Sequence, residues 1–250
     1  MTNLSVNLNA VAYLRNRRNL SWPSVAGIAR IVLDAGADGI TVHPRPDERH
    51  VRRTDVAELK ALLRSAYPRA EYNIEGYPSP EFLDLVERAA PDQVTFVPDD
   101  PSQATSDHGW DVAASLDVLR PAIARMQAAG IRVSLFIDEV PDVALQAAAA
   151  GADRVELYTA PYGDAPLGGV EARRHLDNLA ATARAAQGAG LKVNAGHDLT
   201  LENLPAFQAA VPDIAEVSIG HAITADALLM GFPEAVRRYK AALQTTRTGS

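Results

Sequence analysis

The sequence contains no cysteine. Disulfide bridges and thiolate metal sites are therefore excluded, and nothing supports an oxidising compartment. No apolar run approaches the roughly 18 residues of a membrane span, and the first residues lack the pattern of a signal peptide. An excess of basic charge is also missing, since the net charge is −7. These absences predict a cytoplasmic protein without nucleic-acid or membrane partners.

The chain is long and apolar enough to build a sizeable core. It has 250 residues, of which 47% are hydrophobic, so global disorder is excluded. No linker-like stretch or change of composition marks a second domain. We therefore expect one domain over residues 1–244, followed by a frayed tail over residues 245–250.

Short runs rich in Val and Ile alternate with stretches of helical periodicity. The runs predict strands that are apolar on both faces, at residues 4–8, 39–43, 71–75, 93–98, 132–138, 154–159, 192–197 and 216–221. The helical stretches cover residues 25–35, 56–63, 80–89, 113–129, 143–150, 170–189, 201–210 and 225–243. Two loops stand out: a polar loop over 99–110, and a glycine-rich run over 162–169 that is typical of a lid.

Eight such units in 250 residues predict a (β/α)8 TIM barrel of the α/β class. An open doubly wound sheet is the alternative. It usually carries a glycine-rich G-x-G-x-x-G loop after the first strand, and this chain has Asn7-Leu8-Asn9-Ala10 there. The missing glycines favour the barrel.

Polar side chains gather where the predicted strands end, and a barrel of this type places its active site at that end. These side chains are Asn7, Asn9, His43, Glu75, Asp138, Glu156, His197 and His221. Glu75 and Glu156 have apolar neighbours in the sequence, which would raise their pKa towards the range of a general base. The histidines add further acid–base capacity, although a single one could be purely structural.

Cationic side chains in the loops after the first two strands favour anionic ligands. They are Arg15, Arg17, Arg18, Arg45, Arg49 and His50. The loops after strands seven and eight would add backbone N–H groups at helix starts, so two phosphate sites are expected. A solvated surface is the other explanation, above all for Arg15 and Arg17. A His–Glu metal site is disfavoured, because no H-x-H or H-E-x-x-H spacing occurs.

Seven short motifs, spread over five of the predicted units, resemble those of the pyridoxine 5′-phosphate synthase family. They lie at residues 6–9 (VNLN), 14–16 (LRN), 35–43 (AGADGITVH), 49–50 (RH), 133–138 (VSLFID), 193–197 (VNAGH) and 219–222 (IGHA). The resemblance implies a homo-octamer of (β/α)8 barrels. It also implies the cofactor-free and metal-free condensation of 1-deoxy-D-xylulose 5-phosphate with 3-amino-2-oxopropyl phosphate, giving pyridoxine 5′-phosphate, phosphate and water.

The resemblance also implies a role for each matching residue. His43 and Glu75 would accept protons, His197 would donate one, and Glu156 would stabilise a transition state. The amino-ketone phosphate would be held by Asn7, Arg18, Asp198, Gly220 and His221. The deoxyxylulose phosphate would be held by Asn9, Arg45, His50 and Thr105.

Two departures from the family pattern matter. The family commonly has Asp-His at the position of Asn9-Ala10, and Gly at the position of Asp198. A carboxylate beside a phosphate is unfavourable unless it turns away from the ligand. Two other functions remain open: a sugar-phosphate isomerase or aldolase, and a barrel that binds phosphorylated metabolites without catalysis.

Overall fold

Eight parallel strands close into a barrel, in which each strand pairs with the next and β8 pairs back with β1. The computed structural model describes residues 1–18, 20–99, 106–211 and 213–244. The strands are β1 (Asn3–Asn7), β2 (Gly39–Val42), β3 (Glu71–Gly76), β4 (Gln93–Phe96), β5 (Arg132–Ile137), β6 (Arg154–Tyr158), β7 (Lys192–Gly196) and β8 (Ile214–Ile219). The (β/α)8 prediction is confirmed and the open sheet is wrong. The expected tail over 245–250 lies outside the described residues.

Helices surround the barrel and connect successive strands. They are α1 (Asn9–Asn16), α2 (Val25–Asp34), α3 (Arg53–Ala66), α4 (Pro80–Ala89), α5 (Leu116–Ala128), α6 (Pro141–Ala150), α7 (Ala160–Asp164), α8 (Val170–Gly188), α9 (Leu204–Ala210), α10 (His221–Met230) and α11 (Phe232–Ala242). No helix in the described part of the chain is long and apolar enough to cross a membrane.

The helix predictions need three corrections. The segment after β1, expected to be a loop, is the helix α1. The single helix expected over 225–243 is two helices, since the chain turns at Gly231 with φ 80° and Pro233 follows in the first turn of α11. The first part of the expected lid over 162–169 belongs to α7. Glycine and proline therefore broke the last predicted helix, where apolar periodicity alone predicted continuity.

The strands are buried on both faces, but only one face is apolar. Side chains such as Ile40, Ile74 and Val94 point to the helices and form the main core. The alternate side chains point into the barrel and are polar: Asn73, for example, bridges the hydroxyls of Thr41 (3.4 Å) and Thr95 (3.1 Å). The expectation of two apolar faces is therefore wrong. The Val and Ile content is that of the outward face alone.

Charged side chains fill the lower part of this interior, at the N-terminal ends of the strands. Arg154 Nη1 on β6 reaches across the barrel to within 3.3 Å of Glu71 Oε1 on β3. Arg132 Nη2 lies 2.7 Å from the same oxygen. Glu216 is fully buried beside them, and burial raises its pKa well above the ordinary value, with the charge of Glu71 adding to the effect. We call Glu71, Arg132, Arg154 and Glu216 the lower cluster.

Candidate active site

A cavity of about 650 Å³ opens at the C-terminal ends of the strands. It is lined by residues of β1, β3, β5, β6 and β8, of α1 and α10, and of the segments that follow α1, β2, β4, β7 and β8. Most of the site residues expected from the sequence line it: Asn7, Asn9, His43, Arg45, His50, Glu75, Glu156, His197, Asp198, Gly220 and His221. Motifs that are far apart in the sequence are thus brought together in one site, as the barrel fold predicts.

Glu75 and Glu156 lie at the floor of the cavity. Burial raises the pKa of Glu75 to about 8, and the charge of Asp99 acts in the same direction. Burial likewise raises the pKa of Glu156 to about 8, with Glu75 as the next contribution. The hydrogen-bond partner of Glu75 is a neutral group: the side-chain amide of Asn7 donates to its Oε2 at 3.3 Å. Both carboxyls can therefore exchange protons near neutral pH.

A glycine on β7 leaves room for one of these carboxyls. A Cβ atom on Gly196 would lie 2.7 Å from Glu156 Oε1, which is closer than any real contact. Any larger residue at 196 would displace the carboxyl from the cavity floor. The glycine of the VNAGH motif is thus a steric requirement of the site.

His43 is held in place at the end of β2 by its backbone. Its N–H donates to Asn9 Oδ1 at 2.9 Å, while the N–H of Asn9 donates to Asn7 Oδ1 at 3.0 Å. Burial holds the pKa of His43 well below its usual value, and the charges of His50 and Arg45 act in the same direction. The imidazole is therefore neutral at physiological pH, which suits a proton acceptor.

His50 is a neutral hydrogen-bond donor to the cavity. Its Nδ1 accepts the N–H of Val51 at 2.9 Å, which leaves the proton of the neutral ring on Nε2. Burial lowers the pKa of His50 to about 4, followed by the charges of Arg45 and Arg49. The rings of His43 and His50 meet edge-on, with their centroids 6.0 Å apart.

Arg45 connects this corner of the site to the loop after β4. The guanidinium is buried, and its Nη2 lies 3.2 Å from Asp99 Oδ2, which is also 3.8 Å from His43 Nε2. Asp99 belongs to the polar 99–110 loop that the sequence singled out, but its carboxylate was not predicted as a site residue. The sequence gives no indication that Asp99 contacts Arg45, because the two residues are 54 positions apart.

His197 and Asp198 follow β7 with backbone conformations in the left-handed region, at φ 88° and 57°. The Nδ1 of His197 lies 3.1 Å from Asp198 Oδ2. The hydrogen bond from His197 lowers the pKa of Asp198 in spite of partial burial. The carboxylate of Asp198 is therefore turned towards the imidazole. In this orientation it avoids the charge repulsion that a carboxylate pointing at a bound phosphate would cause.

An anion site is available at the start of α10. The helix begins at His221 after Gly220, and no side chain caps it. A Cβ atom on Gly220 would lie 3.1 Å from Asn7 Cβ, so the backbone approaches β1 closely. Gly220, His221 and Ala222 line the cavity, so the first turn of α10, with the positive end of the helix dipole, lies at its edge.

The three arginines after β1 have three different surroundings. Arg15 is buried and forms a bidentate pair with Asp55, so it is structural and not an anion ligand. Arg17 lines the cavity. Arg18, the arginine that the resemblance selects, is exposed in the turn after α1 and is not among the lining residues. Arg15 lies on α1, whereas Arg17 and Arg18 follow its last residue, Asn16.

The other lining residues were not among the predicted ligands. They are Ala10, Tyr13, Leu14, Val97, Ser106, Phe136, Leu199, Ser218, Ile219 and Ala222. Most are apolar or lack a distinctive pattern, and only α1, once recognised as a helix, would have suggested Tyr13 and Leu14. The expected ligand Thr105 lies outside the described residues. Among the residues that the structure does describe, no group of three or more His, Asp or Glu side chains could hold a metal ion.

Carboxyls and imidazoles at the mouth of a (β/α)8 barrel, with cations and a helix start around them, define an enzyme of the acid–base type. Residues 4–245 match the model of the family described as pyridoxal phosphate biosynthesis protein PdxJ. The chain belongs to this family.

Curated relatives named pyridoxine 5′-phosphate synthase match over almost the whole chain. The proteins of Brucella anthropi and Brucella abortus are each 59% identical over 240 residues, covering 96% of this chain and 98% of theirs. Among solved structures, phosphoribosyl anthranilate isomerase from Thermotoga maritima superposes with a TM-score of 0.63 at 11% identity, covering 98% of this chain and 99% of that one. At this identity the likeness shows the fold alone.

Proposed function

We propose that this enzyme condenses 1-deoxy-D-xylulose 5-phosphate with 3-amino-2-oxopropyl phosphate to give pyridoxine 5′-phosphate, phosphate and water. The observation that carries the proposal is the pair Glu75 and Glu156, two buried carboxyls with pKa values raised to about 8 on one cavity floor. Multistep proton transfer on carbonyl substrates needs groups that exchange protons near pH 7. Membership of the family and the name of the Brucella relatives support the same reaction.

The reaction begins when the substrate amine attacks the ketone of the sugar phosphate. Acid–base groups then remove water from the adduct, phosphate leaves, water adds again, and closure of the carbon–carbon bond completes the aromatic ring. In our proposal His43 and Glu75 accept protons, His197 donates one and Glu156 stabilises a transition state. The neutral imidazole of His43 is consistent with an acceptor role. The scheme requires no metal or organic cofactor.

The two phosphates are assigned to opposite sides of the cavity. The start of α10, with Gly220 and His221, takes the amino-ketone phosphate together with Asn7 and the backbone N–H of Asp198. The donor Nε2–H of His50 and the guanidinium of Arg45 take the deoxyxylulose phosphate, with Asn9 and Thr105 as further predicted ligands. Arg18 stays a predicted ligand at the rim of the first site. Charge-assisted contacts of this kind favour phosphate over neutral ligands.

The direct test supplies the purified protein with both substrates and follows product fluorescence and mass. We expect pyridoxine 5′-phosphate and one equivalent of phosphate, and no conversion when either substrate is omitted. Conversion of the phosphorylated ketose alone would support an isomerase or aldolase instead. Calorimetric binding of both compounds without any product would support a binding protein without catalysis.

We further propose that the enzyme works in the cytoplasm as a homo-octamer. Large apolar side chains are exposed on α1 and α10: Tyr13 and Leu14, which also line the mouth of the cavity, and Leu228 and Leu229. The last two are 76% and 86% exposed, and such a patch is typical of a surface that a second copy covers. Native mass spectrometry at micromolar concentration should give eight chains. A monomer under these conditions would contradict the proposal.

A further inference from the structure

The turn after β7 uses a conformation that glycine adopts without strain. Both His197 (φ 88°) and Asp198 (φ 57°) lie in the left-handed region. Side chains are uncommon there, although Asp, Asn and His are tolerated better than most. The carboxylate of Asp198 is therefore present at a position where the backbone alone would favour glycine. This points to a task for the side chain itself.

The backbone of this turn is fixed by other residues. The hydroxyl of Thr159 donates to the carbonyl oxygens of Gly196 (2.7 Å) and His197 (2.5 Å). The amide of Asn203 donates to the carbonyl oxygen of Asp198 at 2.9 Å. These contacts hold the main chain without help from the Asp198 carboxylate. The carboxylate is thus available for its contact with the His197 ring, 3.1 Å away.

The position of Asp198 is also set from the opposite side by α7. A Cβ atom on Gly163 would lie 2.7 Å from both the Cβ and the carbonyl oxygen of Asp198. The helix therefore packs against Asp198 so closely that only glycine fits. On the far side, the ring of Tyr158 meets the His197 imidazole edge-on with centroids 5.4 Å apart. The pair of side chains is held between β6 and α7.

We propose that Asp198 is a positioning residue for His197: its carboxylate accepts the Nδ1–H of the imidazole, fixes the ring, and presents Nε2 to the cavity. This inference rests on the proposed function, in which His197 is the proton donor. An ionised carboxylate can only accept a hydrogen bond, so Nδ1 keeps its proton and the transferable proton sits on Nε2. A carboxylate that orients a catalytic imidazole in this way acts through the histidine and need not touch the substrate.

Other charged groups also face this pair. Glu156 on β6 acts on His197, and His221 on α10 acts on Asp198, while the carboxylates of Asp107, Asp138 and Asp164 act on the neighbouring Tyr158. Asp164 is exposed and its charge bears on the neighbouring Tyr158, which makes Asp164→Asn a matched control for the loss of one negative charge nearby. The variants of interest are Asp198→Asn and Asp198→Gly. Asparagine tolerates the left-handed backbone conformation, and glycine adopts it without strain.

The experiment compares the nitrogen-15 chemical shifts of the His197 ring and the steady-state kinetics of these variants. In the unaltered protein the neutral ring should carry its proton on Nδ1. Asp198→Gly should shift that proton towards Nε2 and lower kcat about 10-fold or more, with the KM of each substrate changed less than about twofold. Asp198→Asn should change both readouts in the same direction but less, and Asp164→Asn should change neither.

Unaltered ring shifts and unaltered kcat in Asp198→Gly would overturn the inference. A thermal melt checks that each variant is folded, and if the glycine variant is not, the asparagine variant decides by the same criteria. The ring shifts do not depend on turnover. If the unaltered protein makes no pyridoxine 5′-phosphate, the proposed function fails, while the shifts still show whether Asp198 orients the ring.

Discussion

The barrel interior holds buried carboxyls at two levels, and their surroundings differ. In the lower cluster, Glu71 contacts two arginines, Arg132 at 2.7 Å and Arg154 at 3.3 Å. At the cavity floor, Glu75 and Glu156 form no ion pair with a lysine or arginine of the described residues, and their pKa values are raised to about 8. Both levels belong to the same strands, since Glu71 and Glu75 lie on β3 and Arg154 and Glu156 on β6.

The difference in surroundings distinguishes a carboxylate that stabilises the fold from carboxyls that can exchange protons. A buried carboxylate is stabilised by a cation, which keeps it ionised and holds the strands that carry the two partners. A buried carboxyl without a cation is protonated over a wider range of pH and can give or take a proton. The arginines inside the barrel lie at the bottom, so the upper carboxyls remain free for acid–base work.

The largest effect is expected from removing one upper carboxyl. In Glu75→Gln, turnover should fall by roughly 10²–10⁴-fold, the usual contribution of a general acid or base. The free energy of unfolding should not fall, because an amide avoids the cost of a buried ionisable group. Steady-state kinetics with both substrates measure the first quantity and urea denaturation the second. Glu58→Gln, an exposed carboxylate on α3, is the control and should keep full turnover. Near-normal turnover of the Glu75 variant would remove Glu75 from the mechanism.

Breaking the lower cluster should act on stability instead. In Arg154→Met, Glu71 and Glu216 lose their buried cation, and the free energy of unfolding should fall by about 3–5 kcal/mol. The side chain of Arg154 is only 9% exposed, so water cannot replace it. Urea denaturation measures the loss, and adding Glu71→Gln should restore part of it. A loss below about 1 kcal/mol would mean that Glu71 is not ionised in the folded protein.

The upper pair should also make stability depend on pH with a definite sign. In the unfolded chain these carboxyls ionise near pH 4.5, whereas in the folded protein they stay protonated up to about 8. Between those values the folded state holds more protons, so the free energy of unfolding falls as pH rises, by up to about 1.4 kcal/mol per pH unit for each group. The contribution is fully present below pH 4.5 and lost near 8.

The difference between the unaltered protein and the double variant Glu75→Gln/Glu156→Gln isolates this term. His43, with its lowered pKa, destabilises the fold at acid pH and is common to both proteins, so it cancels. Urea denaturation at several values between pH 5 and 8 should give a flatter dependence for the double variant. Equal slopes in the two proteins would mean that both carboxyls ionise in the folded state at their ordinary pKa.

The sequence predicted the barrel from local signals: most units have a Val- and Ile-rich run followed by helical periodicity, and several helices end near a glycine such as Gly151 or Gly190. It also predicted most of the polar residues at the mouth, because the fold sends every strand end to one rim. Glu75 and His197 could be selected in this way without any knowledge of their neighbours.

What the sequence could not supply are contacts between distant elements. The Arg15–Asp55 and Arg45–Asp99 pairs each join residues that are 40 or more positions apart. Of the two arginines, only Arg45 lines the cavity, and this too depends on how distant elements pack. The polar inner face was missed for another reason. Strands of four to six residues offer only two or three inward positions each, and a polar residue there resembles an isolated exception.

The smallest effect on stability is expected from replacing Arg132, the second arginine of the lower cluster. Arg132 contacts the same Glu71 oxygen as Arg154 and at a shorter distance, 2.7 against 3.3 Å. Its Nε and Nη2 atoms are buried, but 40% of its side chain is exposed, against 9% for Arg154. Arg132→Met should therefore lower the free energy of unfolding by about 1 kcal/mol or less, well below the loss in Arg154→Met. Urea denaturation of the two variants side by side decides whether burial or contact distance sets the strength of a pair in this barrel. An equal or larger loss in Arg132→Met would favour distance.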